Sequence, residues 1–149
     1  MDYITIDTLR KLQEVGFSYP EYEHFLNIGM LFFIDGDEYL IGGCGDVFTE
    51  RDEEVAKHGE WLPDATQLLS WLKNTGFVVA FAVDEEGYYS AQAKDMKNET
   101  LYIGGDYTLA NALAKVIYKI CKSKRREYVP QATLRLEITE NPNMPDSSL

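Results

Sequence analysis

LPDATQLLSWLKNTGFVVAFAV, residues 62–83, contains a helix and a strand back to back. Asp64 stands where a helix N-cap belongs, and Gln67 follows three positions later. That is the spacing at which side chain and backbone satisfy each other's unpaired groups in a capping box. Leu68, Leu69, Trp71 and Leu72 form an apolar stripe, and Gly76 closes the helix as its C-cap. Residues 77–83 are then continuously apolar. A run of this length predicts a strand, and its continuity predicts a central strand covered on both faces.

Downstream, DEEG at 84–87 reads as a turn, and YYSAQAK at 88–94 alternates with Tyr89, Ala91 and Ala93 on one face. TLYIGG at 100–105 is a third short strand. DYTLANALAKVIYKICK at 106–122 has the strongest helical period in the chain, with Leu109, Leu113, Val116, Ile117, Ile120 and Cys121 along one stripe. Lys119 and Lys122 sit where they favour the negative end of the helix dipole. Pro130 is expected to end this helix. ATLRLEIT at 132–139 alternates again and predicts a half-buried edge strand. Residues 140–149 carry no core-forming pattern and read as a flexible tail.

Upstream, Ile6, Leu9, Leu12 and Val15 predict a first helix ending at Gly16, and SYPEYEHFLNIG at 18–29 predicts a second. In MLFFIDGDEYLI, 30–41, two apolar runs flank Asp35-Gly36, a pair that accepts the positive φ of a tight hairpin. Residues 43–60 are polar and charged and read as a long loop with one helical turn at RDEEVAK. The expected fold is α+β: an α-β-β-β-α core with an antiparallel meander, preceded by N-terminal helices and a hairpin. One domain is expected over 1–139, with an acidic part at 1–60 and a sandwich-like part at 61–139.

Three segments, WLPDATQLLSWLKNTGF, GYYSAQAKD and DYTLANALAKVIYKICK, carry a likeness to a known family. Over residues 61–122 the chain resembles the small phage ABA-sandwich proteins, an uncharacterised family of phages and prophages. The resemblance implies a layered α+β fold and a phage or prophage origin, and it brings no catalytic residues with it.

The chain has 149 residues and is 45% hydrophobic, which suffices for a buried core. It contains no apolar run of the roughly 18 residues that a membrane span requires. The first residues lack the basic-then-apolar order of a secretory signal. The two cysteines form neither a disulfide framework nor a CxxC pair, so a reduced, cytoplasmic protein is expected. Net charge is −11, and residues 1–60 carry 14 acidic against 4 basic side chains. This field repels nucleic-acid phosphates and attracts a basic protein. An acidic surface also serves solubility alone.

IGGCGDVF, 41–48, is the stretch that most resembles a reactive site. Asp46 and Glu50 near Cys44 oppose a thiolate, however, and only His24 or His58 could assist it through the fold. The glycines suit a bulge or tight loop. Cys121, on the apolar stripe, reads as an inert buried thiol. DGDEYLIGGCGD fails as a calcium loop because position 6 is Leu40 and position 12 is Asp46. IGGDYT, 103–108, lacks the lysine and spacing of a phosphate loop and reads as a strand-to-helix turn capped by Asp106 or Thr108. The histidines have no metal-ligand spacing, so neither a metal nor a cofactor is expected.

The sequence therefore points to a non-enzymatic accessory or binding protein. Its candidate binding residues are Asp35, Asp37 and Glu38 at the hairpin tip and Glu50, Asp52, Glu53 and Glu54 beyond it, all seven expected to face solvent. One alternative is an acidic inhibitor of immunity type that blocks a basic enzyme or mimics DNA. The other is a small enzyme using Cys44.

Overall fold

The computed structural model describes residues 2–17, 26–43 and 45–134, with side chains as far as Lys124. In chain order its elements are α1 (Ile6–Glu14), β1 (Leu31–Ile34), β2 (Asp37–Leu40), α2 (Glu50–His58), β3 (Glu60–Leu62), α3 (Ala65–Asn74), β4 (Phe77–Val83), β5 (Tyr89–Asp95), β6 (Leu101–Asp106) and α4 (Leu109–Leu134). The strands form two three-stranded antiparallel sheets, ordered β2-β1-β3 and β4-β5-β6. The protein is α+β.

The meander β4-β5-β6 has helices on one face. Ala91 and Ala93 of β5 point to that face, together with Gly104 of β6, and all three are buried. α4 lies across them, with Leu113, Val116, Ile117 and Ile120 fully buried. Gly104 sets how close it comes. A methyl group at this position would lie 2.9 Å from the Ala112 carbonyl oxygen and 3.0 Å from Lys115 Cβ. Backbone therefore meets backbone nearly directly, which only glycine allows. α3 completes the layer with Leu68 and Leu72, and α1 adds Leu9 and Leu12.

Local chemistry fixes the helix ends. The Asp64–Gln67 box forms as the sequence implies: the Gln67 N–H donates to Asp64 Oδ1 and the Asp64 N–H to Gln67 Oε1, both at 2.8 Å. Thr75 is the C-cap of α3, and Gly76 follows with φ +96°. At the start of α4, Thr108 Oγ1 accepts from the Asn111 N–H, and the Ala110 N–H donates to Asp2 Oδ2 at 2.8 Å. A carboxylate from the other end of the sequence thus sits at the positive pole of α4. The same segment is stitched to the entry of α3 by bonds from Ile4 N–H to the Pro63 carbonyl and from Ala65 N–H to the Asp2 carbonyl, each 3.0 Å.

The hairpin turns at Asp35 and Gly36, whose φ values of 55° and 80° suit a two-residue loop. Alternation along β1 splits its side chains between two clusters. Leu31 and Phe33 face the main core, while Phe32 and Ile34 join Met30, Ile41 and Val55 in a second cluster beneath α2.

Four expectations are corrected. β4 is an edge strand with several exposed residues, whereas a central strand covered on both faces was expected. Its continuous apolarity does not mark two buried faces. The stretch 43–60 holds a nine-residue helix and the first residue of β3, where a loop with one helical turn was expected. Its helix buries only Asp52 and Val55, too narrow a stripe to show as a period. The helix at 106–122 runs on past Pro130 to Leu134, so Ala132, Thr133 and Leu134 are helical and do not begin a strand. Proline's fixed φ is compatible with a helix, although its missing N–H removes one bond and its ring crowds the carbonyl four residues back. Residues 26–29 are coil and turn, and 18–25 of the second expected helix lie outside the described residues, as do 135–139 and the tail 140–149.

Replacing Gly104 by Ala is expected to cost about 1–3 kcal/mol through overpacking, and Leu113→Ala about 2–5 kcal/mol through a cavity. Ile103→Ala, on the open face of the sheet, is expected to stay within about 0.5 kcal/mol. Urea unfolding midpoints of the three variants check this ranking.

Candidate functional site

The candidate acidic residues are organised by one carboxylate that does not reach solvent. Asp52 is 2% exposed. Its N–H donates to Thr49 Oγ1 at 3.2 Å, and the Thr49 N–H donates to Asp52 Oδ2 at 2.8 Å, so the pair forms the capping box that starts α2. Oδ1 accepts from the Tyr39 hydroxyl at 2.9 Å and, at 3.5 Å, from the Gly42 N–H. One side chain thereby joins a helix, a hairpin strand and the turn that follows it. Gly42 has φ +75°, and a methyl there would fall 2.8 Å from Ile28 Cγ2, so glycine is required for the turn to reach Asp52.

Burial alone would raise the Asp52 pKa. The hydrogen bonds from Thr49, Tyr39 and Gly42 outweigh it and hold the carboxyl below its ordinary value. Asp52 is thus an ionised anchor. Its expected exposure on a recognition surface is corrected. The sequence contained the signal, Thr49-x-x-Asp52 ahead of Val55, a capping spacing with Asp in the usual place of Glu.

The other six candidates, Asp35, Asp37, Glu38, Glu50, Glu53 and Glu54, are exposed. They do not form one uniform face. Asp35 and Glu54 come together around Arg51, whose guanidinium lies 3.8 Å from Asp35 and 3.6 Å from Glu54 and stacks over the Tyr39 ring at 5.9 Å. Asp37 pairs with Ile34, on the α2 side of the sheet. Glu38 pairs with Phe33 and so projects to the opposite side, as does Glu60 on the other flank of Phe33. Glu60 is held by Arg10, whose hydrogen bond draws its pKa below the ordinary carboxylate value. The acidic surface on the α2 side therefore consists of Asp35, Asp37, Glu50, Glu53 and Glu54, with Arg51 set among them.

Cys44 and His24 lie outside the described residues, and His58 stands exposed at the end of α2. Cys121 is partly buried against the main core, and burial pushes its thiol pKa up to about 11, with Lys124 opposing. A thiol held protonated at neutral pH is a poor nucleophile. Among the described residues, no group of three or more His, Cys, Asp or Glu side chains is placed to hold a metal ion. No helix among them is long and apolar enough to cross a membrane.

The site thus belongs to an α+β protein with an acidic shoulder formed by a hairpin and a short capped helix. No protein-family model, curated protein or solved structure matches the chain.

Because the folded-state pKa of Asp52 is depressed, its stabilisation is complete above the unfolded value of about 4 and is lost as pH falls below it. Asp52→Asn is expected to lower stability at pH 7 and to flatten the acid limb of a stability–pH profile. Asp52→Ala is expected to cost about 2–4 kcal/mol, combining a lost cap with the loss of the bond from the Tyr39 hydroxyl. Denaturant unfolding between pH 3 and pH 7 reads both. Iodoacetamide at pH 8 is expected to leave Cys121 largely unmodified in the folded protein and to label it in denaturant, as peptide mapping would show.

Proposed function

We propose that this chain is a non-enzymatic accessory or binding protein whose acidic shoulder meets a basic protein partner. The observation that supports this reading is the pinning of α2 against the hairpin by Asp52, which keeps Asp35, Glu53 and Glu54 exposed on a fixed scaffold. Carboxylates presented in this way act mainly by steering a cationic partner and speeding encounter. The cytoplasm is the proposed compartment, in keeping with the free thiol of Cys121. The likeness over 61–122 makes a phage or prophage gene the proposed source.

An acidic inhibitor of immunity type is the second reading, and the same surface favours it. Arg51 lies among the carboxylates and pairs with Asp35 and Glu54, an arrangement that suits a protein surface of mixed charge better than a continuous imitation of DNA phosphates.

The test is capture of partners from the native host by wild type and by a variant carrying Asp35→Asn, Asp37→Asn, Glu53→Gln and Glu54→Gln. Capture by wild type is expected to fall as salt rises and the Debye length shrinks from about 10 Å at 0.1 M to about 3 Å at 1 M. The variant is expected to associate roughly tenfold more slowly at low salt. Equal capture of the same proteins by both would remove the recognition role and leave solubility as the use of the charge.

A further inference from the structure

The two edges of the β4-β5-β6 sheet are treated differently. At the β6 edge, α4 closes the backbone: Lys115 Nζ donates to the Gly105 carbonyl at 2.9 Å, and Lys119 Nζ donates to the Ile103 carbonyl. Among the described residues the β4 edge has no such cover. FVVAFAV contains no charge, no proline and no glycine, the devices that normally blunt an exposed edge. No described strand lies beside it.

Hydrogen-bond parity shows which groups stand open. The Asp84 N–H donates to the Tyr88 carbonyl at 3.1 Å and the Met96 N–H to the Gly76 carbonyl at 3.4 Å. Even-numbered positions therefore bond toward β5, while Phe77, Val79, Phe81 and Val83 aim their N–H and C=O groups outward. The side chains of these four lie on the helix-covered face, but the cover stops midway. Phe77 is 5% exposed, whereas Phe81 is 49% and Val83 53% exposed.

We propose that β4 pairs antiparallel with β4 of a second copy of this chain, about a two-fold axis at Ala80, joining the two meanders into one sheet. This is the register that pairs all seven residues. It also matches the open backbone groups, setting Val79 opposite Phe81 and Phe77 opposite Val83. The covered half of each strand then shelters the uncovered half of the other. Such a self-complementary patch is what a two-fold contact requires.

Charge favours the same occupant. The acidic turn Asp84, Glu85 and Glu86 follows one end of β4. Lys73 precedes the other end, and Lys124 lies 5.7 Å from the Phe77 ring. Lys94 and Lys97 at that end offset Asp95 and Glu99. Antiparallel pairing brings each acidic turn to the partner's lysines. Most of the net negative charge lies in residues 1–60, outside the contact. A seven-residue strand edge two layers deep buries on the order of 1,000 Å² in total, the lower end of a specific interface. The dimer is therefore expected in the micromolar range.

Sedimentation equilibrium of the full chain across roughly 1–200 µM tests the proposal, together with hydrogen exchange at a low and a high concentration. Wild type is expected to dimerise reversibly, with the amides of 77–83 gaining protection as concentration rises. Phe81→Lys is expected to weaken association at least tenfold while leaving circular dichroism and the melting transition of the monomer unchanged. Ile103→Lys, on the open face of the sheet, is expected to dimerise like wild type. A wild type that stays monomeric throughout would overturn the proposal. So would association that survives Phe81→Lys, or that is lost in Ile103→Lys, which would point to face-to-face packing. Protection at 77–83 that does not depend on concentration would overturn it too, by showing that the edge is covered within the chain, for instance by residues 135–149.

Discussion

The close seating of α4 on the meander is the contact on which the rest of the architecture leans. Small residues make it: Ala91, Ala93 and Gly104 are buried on the sheet, and the helix meets Gly104 with the Ala112 carbonyl and the bases of Lys115 and Val116. With the backbones this near, Leu113, Val116, Ile117 and Ile120 are fully buried. α1 and α3 then pack beside α4, and Asp2 reaches its N-terminus. A larger side chain at Gly104 would shift the helix and with it every element that uses α4 as a wall.

Much of this was legible in the chain wherever a local rule had one solution. Asp64 and Gln67 announce a capping box, and Asp35-Gly36 announces a hairpin, because few other conformations satisfy those groups. The alternation of Tyr89, Ala91 and Ala93 reports one buried face correctly. β4 shows where such rules stop. Its apolar run fixes the strand conformation, but nothing in seven apolar residues says whether a neighbour exists on each side. That is decided by the order of strands, a property of the whole fold. α2 showed only as a single turn at RDEEVAK, for the opposite reason. A helix that buries two residues, one of them a carboxylate, has almost no hydrophobic period, and its identity rests on the Thr49 cap.

The candidate site was legible as a composition and not as a surface. Exposure holds for six of the seven carboxylates because turns and helix flanks face water. Asp52 escapes the rule since its oxygens find three donors inside the protein. Glu38 escapes the grouping through strand alternation, which sends it to the far side of the hairpin. Arg51 shows that a count of charges along the chain differs from the field they make in space.

β1 is four residues long, yet it belongs to both hydrophobic clusters, with Leu31 and Phe33 on one side and Phe32 and Ile34 on the other. A slip of one residue in its pairing would exchange the two sets and empty both clusters together. Neither cluster can loosen by itself without moving a strand the other uses. The small cluster under α2 is therefore not an independent satellite, and its melting is mechanically coupled to that of the main core.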